Sequence, residues 1–308
     1  MDKKKVIKFI GITYAVSWTI QIIVSILFLK YGGMKGKMIF QGGLSVCMFT
    51  PLIAALIVKA DMKGMGWKPK FKGNIKWIIY SITIPMIVTL LGFVCFFLIF
   101  PDLFSLDGVY MYNTMKELGM NDAEIKKALG MAGLDMKKLL LITIIQAAFE
   151  APFINMFFAI GEEAGWRGFL YPELKKGFSR VKTWIIGGVV WAAFHFPCML
   201  LAGYEYGMNY IGAPVLGIVT FSIFCVMVGI IEEIIYDKTK CIWYPALFHG
   251  AINAAATIFQ LVINGNEVEK IEKLMIFGPA PNGLIAGIPL LIVAIIMAVV
   301  VLKKEKNA

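Results

Sequence analysis

The chain has 308 residues, of which 59% are hydrophobic, and its mean hydropathy is +0.77. This composition excludes a soluble globular protein, because so much apolar side-chain surface could not be kept away from water. The net charge of +10 would suit a nucleic-acid-binding protein. The lysines, however, cluster between apolar stretches, which is the pattern of loops in a membrane protein. We therefore expect no nucleic acid among the partners.

Apolar stretches of about 20 residues recur along the chain, and a helix needs this length to cross a bilayer. A membrane barrel would require alternating apolar and polar residues, which the sequence lacks. The sequence thus predicts an all-α, polytopic helix bundle with about eight transmembrane helices, within a single integral membrane domain over 1–308. The predicted spans are 6–29, 39–58, 75–100, 143–161, 183–202, 212–235, 243–263 and 283–302.

Several features of the connecting segments refine this picture. The first span is too long for a cleaved signal peptide, so we expect it to be retained. Prolines predict kinks in four spans, at Pro85, Pro152, Pro197 and Pro214. The longest polar stretch, 101–138, predicts short helices outside the membrane. The five cysteines form no C-x-x-C pair, so neither a disulfide framework nor a cysteine zinc site is indicated.

The distribution of basic residues predicts the orientation of the bundle. Two thirds of the 30 Lys and Arg residues lie at the two termini and in alternate loops, one of which is 162–182. Basic residues are enriched in cytoplasmic loops of membrane proteins. We therefore expect a multi-pass protein of the cell membrane with both termini in the cytoplasm.

The fourth span ends in two consecutive glutamates, Glu162 and Glu163, and Arg167 follows at helical spacing. Carboxylates at a membrane boundary are unfavourable unless they are paired, hydrated or functional. Successive helical residues diverge by about 100°, so one carboxylate could face the interior as a base while the other pairs with Arg167. A solvated helix end is the alternative. A second pair, Glu232 and Glu233, predicts an interfacial helix end or, alternatively, a negative rim of a substrate entrance.

The only two histidines of the chain lie in later spans. His195 falls near the middle of the fifth span. His249 and Asn253, four residues apart in the seventh span, share one helix face. A histidine and an amide on one face can donate two hydrogen bonds to an oxyanion, although hydrogen bonds that only serve packing remain an alternative. Small residues around His249 permit close helix packing or leave room for a substrate.

Together, Glu-Glu-x-x-x-Arg, then x-x-x-His, then His-x-x-x-Asn on separate apolar segments resemble the CPBP (Abi) family of intramembrane proteases. That family includes the Ras-converting CAAX prenyl endopeptidases and bacteriocin-immunity proteins. The resemblance covers about 143–260, which we take as the catalytic core. The second motif of the family is usually Phe-x-x-x-His, and Trp191 stands here at the phenylalanine position. We expect this change between aromatic residues to affect mainly packing.

The resemblance implies proteolysis at a lipid-accessible site. Glu162 and His195 would activate a water molecule, and His249 and Asn253 would bind the oxyanion. No Ser, Cys or Thr lies in the motifs, so a covalent nucleophile is not expected. These groups lie at different depths of the predicted spans. They can meet only if helices tilt or if the fourth span continues through residue 170, and we expect a conical cavity that opens to the cytoplasmic side.

The sequence leaves two alternatives for the mechanism, one without a metal and one with zinc. In the resemblance, Glu163 and Arg167 are supporting residues that orient the catalytic groups. Glu162, His195 and His249 could alternatively supply a zinc site with two histidines, one glutamate and an open water position. The sequence lacks H-E-x-x-H, the most specific zinc pattern. We therefore expect that no cofactor is required, and zinc is the alternative.

Three functions fit these features. The first is an endopeptidase that removes the C-terminal tripeptide of prenylated CAAX proteins or processes another membrane-associated peptide. The second is a non-catalytic immunity or binding protein of the same fold. The third is a proton-coupled transporter that uses Glu162 and His195 as a relay, although repeated halves are not detectable.

Overall fold

The computed structural model of the protein describes residues 1–130 and 136–307. Within these ranges the regular structure is helical, apart from one isolated bridge between Phe104 and Ile263. The prediction of an all-α helix bundle is confirmed. The α-helices are α1 (Lys3–Tyr31), α2 (Gly33–Cys47), α3 (Thr50–Ile57), α4 (Ile75–Ile99), α5 (Val109–Glu117), α6 (Asp122–Gly130), α7 (Met136–Phe149), α8 (Ala151–Gly165), α9 (Tyr171–Lys175), α10 (Arg180–Phe194), α11 (Phe196–Ala202), α12 (Val215–Thr239), α13 (Trp243–Ala255), α14 (Val268–Leu274) and α15 (Ile288–Lys306).

Short segments of other helical geometry complete the chain. A π-helical turn, Trp166–Leu170, joins α8 to α9 without a break, and three short 3₁₀ turns lie elsewhere in the described ranges. The short helices predicted within 101–138 are present as α5 and α6. The part of that prediction at 131–135 lies outside the described residues.

Four helical stretches are long and apolar enough to cross a membrane, and two bent helix pairs bring the number to six. The expected number of about eight spans is therefore too high for the described residues by these criteria of length and composition. The predicted span 243–263 ends early, because α13 has only 13 residues and is buried among other helices along most of its length. The predicted span 283–302 overlaps α15, whose last turn is charged.

Two of the predicted proline kinks lie beside the site motifs. The chain bends by 46° between α7 and α8, just before Pro152, and by 43° between α10 and α11, just before Pro197. A proline ring clashes with the preceding helical turn and removes a hydrogen-bond donor, which explains both bends. By contrast, Pro85 lies inside the uninterrupted helix α4. The predicted span 143–161 is therefore wrong in its bounds, because a helix break interrupts it.

Close packing on both sides places α8 in the interior of the bundle. A Cβ atom at Gly250 of α13 would lie 2.6 Å from the carbonyl oxygen of Pro152 and 2.7 Å from the backbone nitrogen of Met156. On the other side, a Cβ atom at Gly165 would lie 2.3 Å from the Cβ atom of Pro51. The absence of a side chain at these positions lets the helix backbones approach. As a result, the last two turns of α8 are buried throughout.

Candidate active site

Glu162 lies inside the bundle, and the helix continues beyond it through the π turn into α9. This continuation through residue 170 is one of the two conditions under which we expected the predicted groups to meet. The Glu162 side chain accepts two hydrogen bonds on Oε2, from Nε1 of Trp166 at 3.1 Å and from Nε1 of Trp191 at 2.7 Å. Its Oε1 atom has no hydrogen bond to any residue that the structure describes. One carboxylate oxygen is thus fixed by neutral donors, and the other is available.

His195 lies at the bend between α10 and α11, where it caps the end of one helix and the start of the next. Its Nδ1 atom is 3.2 Å from the carbonyl oxygen of Trp191, which can only accept, so Nδ1 carries the proton in this contact. The partly buried ring faces Phe221, with ring centroids 5.1 Å apart. Glu162 and His195 thus share Trp191 as a neighbour, Glu162 through the indole and His195 through the carbonyl oxygen.

The second glutamate of the motif belongs to a buried charge cluster. Glu163 Oε1 accepts from Arg167 Nη1 at 3.0 Å and lies 2.9 Å from His249 Nδ1. Arg167 also forms an ion pair with Glu232 through Nη2. Buried charges are tolerated when they are paired and hydrogen-bonded. The pairing of Glu163 with Arg167 agrees with the division between the two glutamates that helix geometry predicted.

Trp191 connects this charge cluster to Glu162. The guanidinium carbon of Arg167 lies 4.4 Å from the centroid of the Trp191 ring, which is a cation–π contact. His249 also packs against Trp191, with their ring centroids 5.2 Å apart in an edge-to-face arrangement. Trp191 therefore contacts Glu162 through its indole N–H, His249 through its ring and His195 through its carbonyl oxygen.

Asn253 follows His249 by one turn of α13, as the spacing predicts. The structure separates their environments, since His249 is 5% exposed and Asn253 is exposed. Among the described residues, no hydrogen bond joins Asn253 to the other predicted site groups. The role of Asn253 stays a prediction.

Glu232 and Glu233 correct an expectation from the sequence. Both carboxylates are at most 1% exposed, so neither an interfacial helix end nor an entrance rim describes them. The pair lies inside α12, which continues to Thr239, beyond the end of the predicted span 212–235. Glu232 is the site residue that sequence reasoning missed. The sequence feature that could have identified it is a pair of glutamates in an apolar segment, like the pair Glu162 and Glu163.

A metal site can be tested against the donor atoms present. Among the described residues, one group of ligand atoms lies within 4.8 Å of one another, from Glu163, Glu232 and His249. This group differs from the expected zinc ligands Glu162, His195 and His249. The guanidinium of Arg167 already binds both carboxylates of the group, and a divalent cation there would be repelled by its charge. In this group the guanidinium of Arg167 thus takes the place that a cation would occupy. The expectation that no cofactor is required stays a prediction.

These helices also carry the similarity to known proteins. Residues 143–255 match the family model described as type II CAAX prenyl endopeptidase Rce1-like. This segment is therefore similar to the Rce1-like family. A curated relative, CAAX prenyl protease 2 of Methanococcus maripaludis, is 30% identical over 111 residues, which cover 33% of this chain and 37% of the relative. The chain thus aligns with little more than a third of the relative's length.

The Rce1-like segment contains all three motifs and runs from α7 to the end of α13. The family resemblance predicted from the motifs is confirmed. Together with the long apolar helices, the family identifies an integral membrane protein.

Proposed function

We propose that this protein is an intramembrane endopeptidase that hydrolyses a peptide bond near the membrane surface. Its expected substrate is a prenylated CAAX protein, from which it removes the C-terminal tripeptide, or a related membrane-associated peptide. Both the family description and the name of the curated relative refer to CAAX prenyl processing. In keeping with the lysine distribution, we place both termini and the entrance to the site on the cytoplasmic side.

The observation that carries this proposal is the environment of the Glu162 carboxylate. Two indole N–H groups hold Oε2, and no cation among the described residues forms an ion pair with Glu162. A carboxylate without a cationic partner retains its capacity to accept a proton. Its position beside His195, through the shared contact with Trp191, supports a pair of groups that hold and deprotonate one water molecule.

The proposed reaction uses the free oxygen of Glu162 as the base. Glu162 Oε1 removes a proton from a water molecule that His195 Nε2 helps to hold, and the water oxygen attacks the scissile carbonyl carbon. The carbon–nitrogen bond then breaks, and the leaving nitrogen takes the proton from Glu162. No covalent enzyme intermediate is formed, and the carboxylate is regenerated at the end of the cycle.

His249 is the proposed donor to the oxyanion. Its Nδ1 atom faces Glu163, so Nε2 is the atom that can reach a substrate. Glu163, Glu232 and Arg167 together carry one net negative charge, which a second proton on His249 would neutralise. In that state Nε2–H donates to the developing oxyanion. We assign the second donor to the exposed amide of Asn253, which requires substrate binding to bring it to the same carbonyl.

The experiment is cleavage of a fluorogenic farnesylated CAAX peptide by the full chain in nanodiscs, with and without a chelator. We expect cleavage by the wild type that the chelator leaves unchanged and that Glu162→Gln abolishes. The matched control is Glu233→Gln, which removes the charge from another buried glutamate outside the site. Equal activity of Glu162→Gln and wild type would refute the mechanism. Loss of activity with the chelator and its recovery with zinc would refute the metal-free form of the proposal.

A further inference from the structure

Trp191 occupies a position where the family motif usually has phenylalanine, and the side chain is 4% exposed. A phenylalanine would fill much of the same space but has no hydrogen-bond donor. The indole of Trp191 uses its donor, since Nε1 lies 2.7 Å from Glu162 Oε2. The change from phenylalanine to tryptophan therefore adds a specific polar contact to the proposed base.

We propose that Trp191 is a positioning residue that fixes the Glu162 carboxylate through its indole N–H. This inference rests on the proposed function, because it assigns a role to the same carboxylate. With Oε2 held by indole donors, Oε1 is the oxygen left to face the water. The orientation of the carboxylate is thus set before substrate binds, which favours a proton transfer that depends on geometry.

The location of Trp191 explains why this contact differs from that of Trp166. Trp166 follows Glu162 by four residues in the same helical stretch, so it moves with the carboxylate. Trp191 lies on α10, the helix that ends at His195, and its own carbonyl oxygen accepts from His195 Nδ1. The Trp191 indole therefore fixes Glu162 of α8 relative to the histidine on α10.

Neighbouring rings and charges keep the indole in this orientation. Arg167 lies over one part of the ring at 4.4 Å from its centroid, and His249 packs against it at 5.2 Å between centroids. These contacts use the face and edge of the aromatic ring, so a phenylalanine at this position can retain them. A neutral donor also orients the carboxylate without adding a cation, which would bind its charge more strongly.

The kinetic test is Trp191→Phe, with Trp184→Phe as the matched control. Trp184 lies two turns earlier on α10, is also buried, and donates to Glu233 Oε2 at 2.9 Å. For Trp191→Phe we expect kcat to fall about 10- to 100-fold, because a hydrogen bond to a charged group is lost, with KM changed less than about twofold. Trp184→Phe should leave kcat within about twofold of wild type. Equal kcat values for the two variants would overturn the inference.

A second measurement does not depend on peptidase activity. In the nitrogen-15 NMR spectrum of tryptophan-labelled protein, the Trp191 indole N–H signal is identified by its loss in Trp191→Phe. We expect Glu162→Gln to shift this signal and Glu233→Gln to shift the Trp184 signal instead. An unchanged Trp191 signal in Glu162→Gln would overturn the inference. If the wild type cleaves no CAAX peptide while the Trp191 signal shifts as expected, the positioning contact stands and the proposed function fails.

Discussion

The two Glu-Glu pairs of this protein are alike in one carboxylate and differ in the other. In each pair one carboxylate binds Arg167, namely Glu163 on α8 and Glu232 on α12. The remaining carboxylates differ. Glu233 accepts from Lys175, from Arg180 and from the indole of Trp184. Among the described residues, the donors to Glu162 are both indoles. Burial is nearly identical, since Glu162 is 2% and Glu233 is 1% exposed.

This difference separates a structural carboxylate from one suited to chemistry. Lys175 and Arg180 both pair with Glu233 and so connect α12 to α9 and α10. The charge of Glu233 therefore stabilises the fold. Glu162 lies equally deep but has neutral donors on one oxygen only. Burial alone therefore does not distinguish these carboxylates. We expect the base to be Glu162, which has no cationic partner among the described residues.

The largest expected effect is on catalysis. Glu162→Gln should lower kcat by about 10²- to 10⁴-fold, because a general base contributes on this scale. Glu233→Gln should leave kcat within about threefold while lowering stability, since Lys175 and Arg180 lose their carboxylate. Both variants are measured in the peptide cleavage assay. Comparable kcat losses in the two variants would remove the distinction between the pairs.

The second largest effect concerns Arg167, which binds one carboxylate of each Glu-Glu pair. Arg167→Met leaves Glu163 and Glu232 buried without their cation, and we expect the free energy of unfolding to fall by about 3–5 kcal/mol. Arg180→Met is the control, because Arg180 is 9% exposed and Lys175 still neutralises Glu233. Its loss should be about 1–2 kcal/mol. Both are measured by SDS titration in mixed micelles, where equal losses would contradict the special position of Arg167.

A smaller effect is expected where a cation is redundant. The Lys175 side chain is 30% exposed and bonds to Glu233 Oε1. Lys175→Met should destabilise the protein by less than about 1 kcal/mol, because solvent screens the pair and Arg180 remains. The same titration measures this change. A loss as large as that of Arg180→Met would show that the two cations are not interchangeable.

A comparably small effect, which depends on pH, extends the comparison to a third carboxylate with a neutral partner. Glu205 lies in the loop between α11 and α12, outside the predicted spans, and accepts from Asn282 Nδ2 at 2.6 Å. Burial raises the pKa of Glu205 from 4.5 to about 7. The folded state therefore binds the proton more tightly than the unfolded state. Stability should be full below about pH 4.5 and decline as the pH rises through about 7.

For this partly buried side chain we expect a decline of about 1 kcal/mol, because solvent screens part of the charge. The measurement is the SDS titration at about pH 5 and about pH 8, on wild type and on Glu205→Gln. The variant should show a smaller difference between the two pH values. A difference equal to that of wild type would assign the pH dependence to other groups.

The sequence predicted the helical class, the kinks at Pro152 and Pro197, and the different environments of Glu162 and Glu163. These depend on composition, on proline geometry and on the angle between successive helical residues, which are all local properties. The family resemblance rested on the same short motifs. Local sequence patterns were thus sufficient for features that the geometry of a single helix determines.

The sequence could not predict the contacts between distant helices. Glu232 meets Arg167 across 65 positions of the chain, and the Trp191 indole reaches Glu162 from another helix. Span length misled the interpretation as well. Because α13 is enclosed by protein, it needs no bilayer-spanning length, and its 13 residues carry His249 into the interior.

The π-helical turn between α8 and α9 determines the direction in which the side chains of α9 point. The Tyr171 N–H donates to the carbonyl oxygen of Trp166, five residues earlier, so this turn holds one more residue than an α-helical turn. Removing a residue there would rotate α9 by about 100° about its axis. Lys175 would then turn away from Glu233, while Glu162 would keep its place. The π-helical turn thus lets one continuous helical stretch carry Glu162 and also direct Lys175 toward Glu233.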